Sequence, residues 1–332
     1  FTIDNTAPTV TLTDTDSDNL TSGSSVVTIT ATFSEAMAVT PTINITGEVS
    51  NVAMTASSTA DVWIYPWTVS TTTSGIVSAT VAGTDLSGIS FSGTDSITFT
   101  IDNTAPTVTL TDTDSDNLVS GSSVVTITAT FSEVMTAIPT INITGEVSNV
   151  AMTASTTASV WIYPWTVSTT TSGIVSATVA GTDVSGKVYA GTTSITFTID
   201  NIAPTVTLTD TDSDNIVSNS DVVTITATFS ESMSATPIIS LSGVISNVLM
   251  TATSSNSVWT FTWTVSTSVS SATASVSGTD LAGNKYSGTD SITFGIKNLP
   301  SYLVEEGLVA WYPFNGNAND GSGNLKNGEA KN

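Results

Sequence analysis

Apolar and polar residues alternate along this chain with a period of two. In VVTITATFS (residues 26–34), Val27, Ile29, Ala31 and Phe33 take turns with threonine or serine, the pattern of a strand with one buried and one wetted face. Similar short runs follow: TVTLTD (9–14), TINITG (42–47), NVAMTAS (51–57), VWIYPWTVS (62–70), IVSATVAGTD (76–85) and SITFTID (96–102). Gly, Ser, Asp or Pro punctuates between them, and no stretch carries a helical period. The prediction is β-structure throughout.

The pattern then repeats. FTIDNTAP begins at Phe1 and Phe99, and FTIDNIAP at Phe197, so the period is 98 (99 − 1 and 197 − 99). A weakened copy, FGIKNLP, begins at Phe294. Repeats one and two differ at 13 of 98 positions, and repeat three has drifted further. Seven strands in about 98 residues is the size and rhythm of an immunoglobulin-like sandwich. Other all-β folds share that rhythm, but an odd strand count suits a tandem array, because the chain enters at one end and leaves at the other. The expected architecture is tandem seven-stranded sandwiches arranged end to end. Residues 1–5 end a preceding repeat, 6–103, 104–201 and 202–299 form repeats one to three, and 300–332 form a different tail. Opening on the end of a strand, without a signal peptide, the sequence is expected to be part of something longer.

The most aromatic run, VWIYPWTVS, puts Trp63, Tyr65 and Trp67 on one strand face. A sugar-binding platform and a core strand would both look like this. Repeat three separates them: Trp259, Phe261 and Trp263 keep the aromatic face while the opposite face becomes Thr260 and Thr262. Loss of the tyrosine hydroxyl and a polar reverse side fit a buried face. Pro66 marks an edge or a bulge, since it cannot donate to a ladder.

Composition narrows the chemistry. Five Lys+Arg stand against 28 Asp+Glu, a net charge of −23. Such a surface repels phosphate backbones and anionic lipids, which argues against nucleic acid or membrane-surface partners. The absence of His and Cys removes imidazole and thiol nucleophiles, Ser-His-Asp triads and the usual zinc ligands. No apolar run of about 18 residues is present to span a bilayer. Carboxylate pairs could serve a glycosidase, but no insertion in the short loops would form a pocket, so no enzymatic activity is expected.

The acids sort by repeat. Six survive in all three copies: Asp4/Asp102/Asp200, Asp14/Asp112/Asp210, Asp16/Asp114/Asp212, Asp18/Asp116/Asp214, Glu35/Glu133/Glu231 and Asp85/Asp183/Asp280. Others drift: Glu48 and Glu146 become Val244, and Asp61 becomes Ser159 and Ser257. On seven alternating strands the LTDTDSDN loop falls at the bottom of a module, and Glu35 and Asp85 at its top. The first junction would then gather Asp14, Asp16, Asp18, Asp102, Asn103, Glu133 and Asp183, and the second Asp112, Asp114, Asp116, Asp200, Asn201, Glu231 and Asp280. So many carboxylates in one volume require a counter-ion, and Ca²⁺ takes six to eight oxygen ligands. The D-x-D-x-D spacing resembles the start of a Ca²⁺ loop, although the glycine and distal glutamate of an EF-hand are missing. The alternative is that these Asp and Asn residues only make turns. At the third junction Lys297 replaces the linker aspartate, so two complete inter-module sites are expected.

IDNTAPTVTLT, VTITATFSE, GTDLSG and DSITFTIDNTAP, in this order and period, resemble the bacterial Ig-like repeats of large secreted surface proteins and adhesins over residues 1 to about 298. The linker is also similar to the Ca²⁺-binding linkers of cadherins. GLVAWYPFNGNANDGSGNLKNG (307–328) resembles the opening of a concanavalin A-like (laminin G-like) lectin domain. DSI at 95–97 and 290–292 resembles a surface-protein O-glycosylation motif. The resemblance implies an extracellular stalk on a bacterial cell surface. Its partners would be the neighbouring repeats of the same chain and, through the lectin-like domain, glycans or other cell surfaces. A structural subunit of an extracellular filament, and an accessory region of a secreted polysaccharide-degrading enzyme, are the competing expectations.

Overall fold

The computed structural model describes residues 3–266 and 269–297, and every regular element among them is a β-strand. The chain divides into two compact units, Phe1–Ile199 and Asp200–Asn332. The first holds repeats one and two.

Repeat one runs β1 (Val10–Asp14), β2 (Leu20–Thr21), β3 (Val26–Phe33), β4 (Thr42–Ile45), β5 (Val49–Ala53), β6 (Thr55–Ala56), β7 (Val62–Thr68), β8 (Gly75–Ala82) and β9 (Ser96–Ile101). One sheet has the order β1-β3-β7-β6 and the other β2-β9-β8-β4-β5. All pairings are antiparallel except β2 with β9, which is parallel. Two mainly antiparallel sheets in this order are an immunoglobulin-like sandwich. Repeat two follows the same plan, with its sheets drawn from strands between Val108 and Ile199. In the second unit, repeat three does so between Val206 and Lys297.

Seven polar-apolar runs give nine strands because one run changes sheets midway and a short strand, β2, forms between two runs. TVTLTD ends where Asp14 lies opposite Ile29 on β3, and the chain then crosses to place Leu20 and Thr21 beside Thr100 and Ile101. The NVAMTAS run breaks at Met54: β5 pairs with β4, and β6 with β7. Met54 is buried and its N–H donates to Pro41 O at 2.9 Å. The apolar side chain therefore anchors the crossing point. A period of two cannot reveal such a switch, since alternation continues on both sides of it.

Val27, Ile29, Ala31 and Phe33 face inward from β3, Ile43 and Ile45 from β4, and Val77, Ala79 and Val81 from β8. Trp67 is buried against Phe99, and Trp63 and Tyr65 pack against the same cluster. The aromatic face is thus core in all three repeats, with Trp161 and Trp165, and Trp259 and Trp263, in the matching places. Pro66 lies opposite Thr28, while the two-residue β6 pairs only with Trp63 and Ile64. No ladder partner on that side requires its missing N–H.

Candidate metal centre

Among the described residues three groups of three carboxylates form, one at the head of each sandwich: Asp4, Glu35 and Asp85; Asp102, Glu133 and Asp183; Asp200, Glu231 and Asp280. Within each group one oxygen per residue lies within 4.8 Å of the others. The first member comes from the segment leading into the sandwich. The second stands two residues beyond the long strand ending at Phe33, Phe131 or Phe229. The third opens the tight loop after the strand ending at Ala82, Ala180 or Ser277. Isolated bridges Met37↔Asp85, Met135↔Asp183 and Met233↔Asp280 hold the last two elements together, each over a buried methionine.

The loop aspartate is built in. Asp85, Asp183 and Asp280 are all 0 % exposed. Asp85 Oδ1 accepts from the N–H of Ser87 (2.8 Å), the hydroxyl of Ser87 (2.7 Å) and the N–H of Ile89 (2.8 Å). Gly88, at φ 89, closes this loop in a backbone region that suits glycine. Asp183 Oδ1 is held likewise by Ser185 Oγ and the Lys187 N–H, each at 2.8 Å. The other oxygen differs: Asp85 Oδ2 and Asp183 Oδ2 are buried without a hydrogen-bond partner among the described residues. Leaving a buried carboxylate oxygen unpaired is costly, so a donor or a cation is called for there.

Electrostatics point the same way. Burial raises the Glu35 carboxyl above its ordinary value, helped by the negative charges of Asp4 and Asp85. Burial, Asp183 and Asp102 raise Glu133, and burial, Asp280 and Asp200 raise Glu231. For Asp85, burial pushes upward, but the Ser87 hydroxyl and the loop N–H groups outweigh it and hold the group below its ordinary value. Each head thus joins an aspartate embedded in donors to a glutamate made uncomfortable by its neighbours. Hard oxygens and crowded negative charge, with an unpaired buried oxygen in the first two heads, fit a divalent cation. Two ligands each about 2.4 Å from Ca²⁺ are at most about 4.8 Å apart, which the spacing satisfies.

The structure brings together only part of the residues expected from the sequence. Asp102, Glu133 and Asp183 meet, as do Asp200, Glu231 and Asp280. Asp14, Asp16, Asp18, Asp112, Asp114 and Asp116 belong to no such group among the described residues. Their loop lies on the flank of the sandwich, where the chain changes sheets, and not at its bottom tip. There Asp14 Oδ1 accepts from Asp16 N (2.8 Å), Asp16 Oδ1 from Asp18 N (3.1 Å) and Asn19 N (2.9 Å), and Asp18 Oδ1 from Leu20 N (3.1 Å). Asn19 adopts φ 58 and its carbonyl accepts from Thr100 N. Asp112, Asp114 and Asp116 bond their loop in the same way. These acids make a corner.

Asn103 also departs from the expected ligand role. Its Oδ1 accepts from Gly23 N at 2.6 Å, and its Nδ2 donates to Ser70 O and Thr73 O. It therefore ties two loops of repeat one, β2–β3 and β7–β8, to the segment that follows β9. A Cβ on Gly23 would come within 2.5 Å of Thr71 Cα, so glycine permits this approach. Asn201 holds the equivalent position in sequence and is half-buried. Sequence reasoning passed over the first group, Asp4, Glu35 and Asp85, by requiring a D-x-D-x-D loop from a preceding repeat. Their recurrence with the other acids was the available signal. Lys297 ends the last strand beside Ser218, and the rest of the third junction, with the lectin-like segment 307–328, lies outside the described residues.

No family model matches the chain. No curated protein matches it either. Among solved structures, a tetra-tandem repeat in the extending region of a large adhesion protein is 19% identical, covering 89% of this chain and 76% of that one, with a TM-score of 0.36. The titin I-band fragment I67–I69 is 10% identical, covering 88% and 98%, with a TM-score of 0.40. Fibronectin(III)-like modules of Clostridium thermocellum CbhA are 16% identical, covering 57% and 93%, with a TM-score of 0.30. None of them carries a role across to this chain.

Proposed function

We propose that the chain is a calcium-stiffened length of an extracellular stalk, a spacer in a bacterial surface adhesin and not an enzyme. The observation that carries this is the recurrence of one carboxylate group at the head of every repeat, drawn from the incoming segment and two loops of the sandwich it enters. Asp102 lies directly after β9, and its N–H donates to Thr21 O of repeat one, while Glu133 and Asp183 belong to repeat two. An ion held by these three would tie the exit of one sandwich to the entrance of the next. Three carboxylates give part of a Ca²⁺ shell, and backbone carbonyls or water would complete it. Asp200, Glu231 and Asp280 offer the same set of ligands within the second unit.

The rest of the chain supports a spacer. Its composition is acidic, its loops are short, and its sequence spends 98-residue units on repetition. A distal glycan- or surface-binding domain, begun by the lectin-like segment, is the further part of the proposal. Small-angle scattering in chelator and in millimolar Ca²⁺ tests the stiffening. A longer mean end-to-end length with Ca²⁺ is expected, and superimposable curves would refute it.

A further inference from the structure

Repeat three resolves its buried aspartate differently from the other two. Where repeats one and two have Ile89 and Lys187, repeat three has Asn284. Its N–H donates to Asp280 Oδ1 at 2.8 Å, as its counterparts' do. Its side-chain Nδ2 also donates to Asp280 Oδ2 and to the backbone O of Asp200, each at 2.9 Å. Both neighbours are acceptors, so the atom facing them must be the amide nitrogen. The oxygen left unpaired in Asp85 and Asp183 is thus satisfied in Asp280. The same amide spans the incoming segment and the tight loop, two of the elements that an ion would join.

We propose that Asn284 is an ion-independent latch that competes with calcium at the third centre, an inference resting on the calcium reading. A cation at Asp280 Oδ2 would meet the positive N–H end of this amide, which lies between Asp280 Oδ2 and Asp200 O, so binding favours turning or withdrawing it. Binding there gives up a charge-assisted hydrogen bond, and emptying the site restores it. In the first two centres no donor among the described residues reaches that oxygen. The three centres therefore differ in calcium demand, and the third empties first as calcium falls while its entry segment stays tied to its sandwich. Ala282 stands where Ser87 and Ser185 supply a hydroxyl to the first oxygen, so in repeat three the side-chain donor has moved from one carboxylate oxygen to the other.

The test uses the full chain carrying Glu35→Gln and Glu133→Gln, which leaves only the third group intact, with and without Asn284→Ile. Calorimetric titration with Ca²⁺ should show Asn284→Ile binding about ten- to a hundredfold more tightly, the range that one charge-assisted hydrogen bond gives. In chelator, the same substitution should lower the melting temperature, because the latch is lost with no ion to replace it. Equal or weaker calcium binding by Asn284→Ile would overturn the competition, weaker binding meaning that the amide turns its oxygen to the ion as a ligand. An unchanged melt in chelator would overturn the latch. Absence of calcium binding by both chains would overturn the competition together with the calcium reading of the third centre, whereas equal binding by both overturns the competition alone.

Discussion

Trp165 and Phe197 meet across the two sheets of repeat two, with ring centroids 5.2 Å apart and planes inclined at 57°. Trp165 is 1 % exposed and Phe197 0 %, and the same pair recurs as Trp67 with Phe99 and as Trp263 with Phe294. Trp165→Ala should therefore destabilise repeat two by about 3–5 kcal/mol, the usual cost of emptying a large buried aromatic site. Denaturant unfolding monitored by fluorescence measures it. A loss below about 1 kcal/mol would mean that the aromatic strand face is not core.

The flank loop gives a second outcome. Asp16 Oδ1 accepts two backbone N–H groups, and Asp16 belongs to no carboxylate group among the described residues. Asp16→Ala should cost about 1 kcal/mol, equally in chelator and in Ca²⁺, and leave the number of bound ions unchanged. A loss of one ion per chain on calorimetric titration would return the D-x-D-x-D aspartates to the metal site.

The strands and the inward face of VVTITATF were legible in the sequence because a period of two states which side is buried. The sheet switches at Asp14 and Met54 were not, because alternation survives a change of partner. For the site, repetition picked out the six acids of each repeat but could not divide them by role. Asp16 and Glu133 recur equally well, although one turns the chain and the other faces two carboxylates. What separates them is where a loop lies in three dimensions, on the flank or at the head.

Asn103 should behave as a structural tie. Asn103→Ala removes its bonds to Gly23, Ser70 and Thr73 and strands half-buried backbone groups. A cost of about 1–3 kcal/mol is expected, identical with and without Ca²⁺, in thermal unfolding of the full chain. A cost seen only in Ca²⁺ would make it a ligand.

Glu133 should show opposite effects in the two conditions. Burial and the charges of Asp183 and Asp102 make its ionised form unfavourable. Glu133→Gln keeps the shape and removes the charge, so in chelator it should raise the melting temperature, and in millimolar Ca²⁺ it should lower it relative to the parent. A fall in both conditions would show that the carboxylate serves the fold alone.

Calcium itself is the central claim, and the most direct measurement is the melting temperature of the full chain in chelator and in millimolar Ca²⁺, the range in which extracellular modules bind at about 10⁻⁴–10⁻³ M. The parent should melt higher with Ca²⁺, and a chain carrying Glu35→Gln, Glu133→Gln and Glu231→Gln should lose most of that rise. Coincident melts of the parent in the two buffers would contradict the account, leaving three groups of acids with no ion to hold.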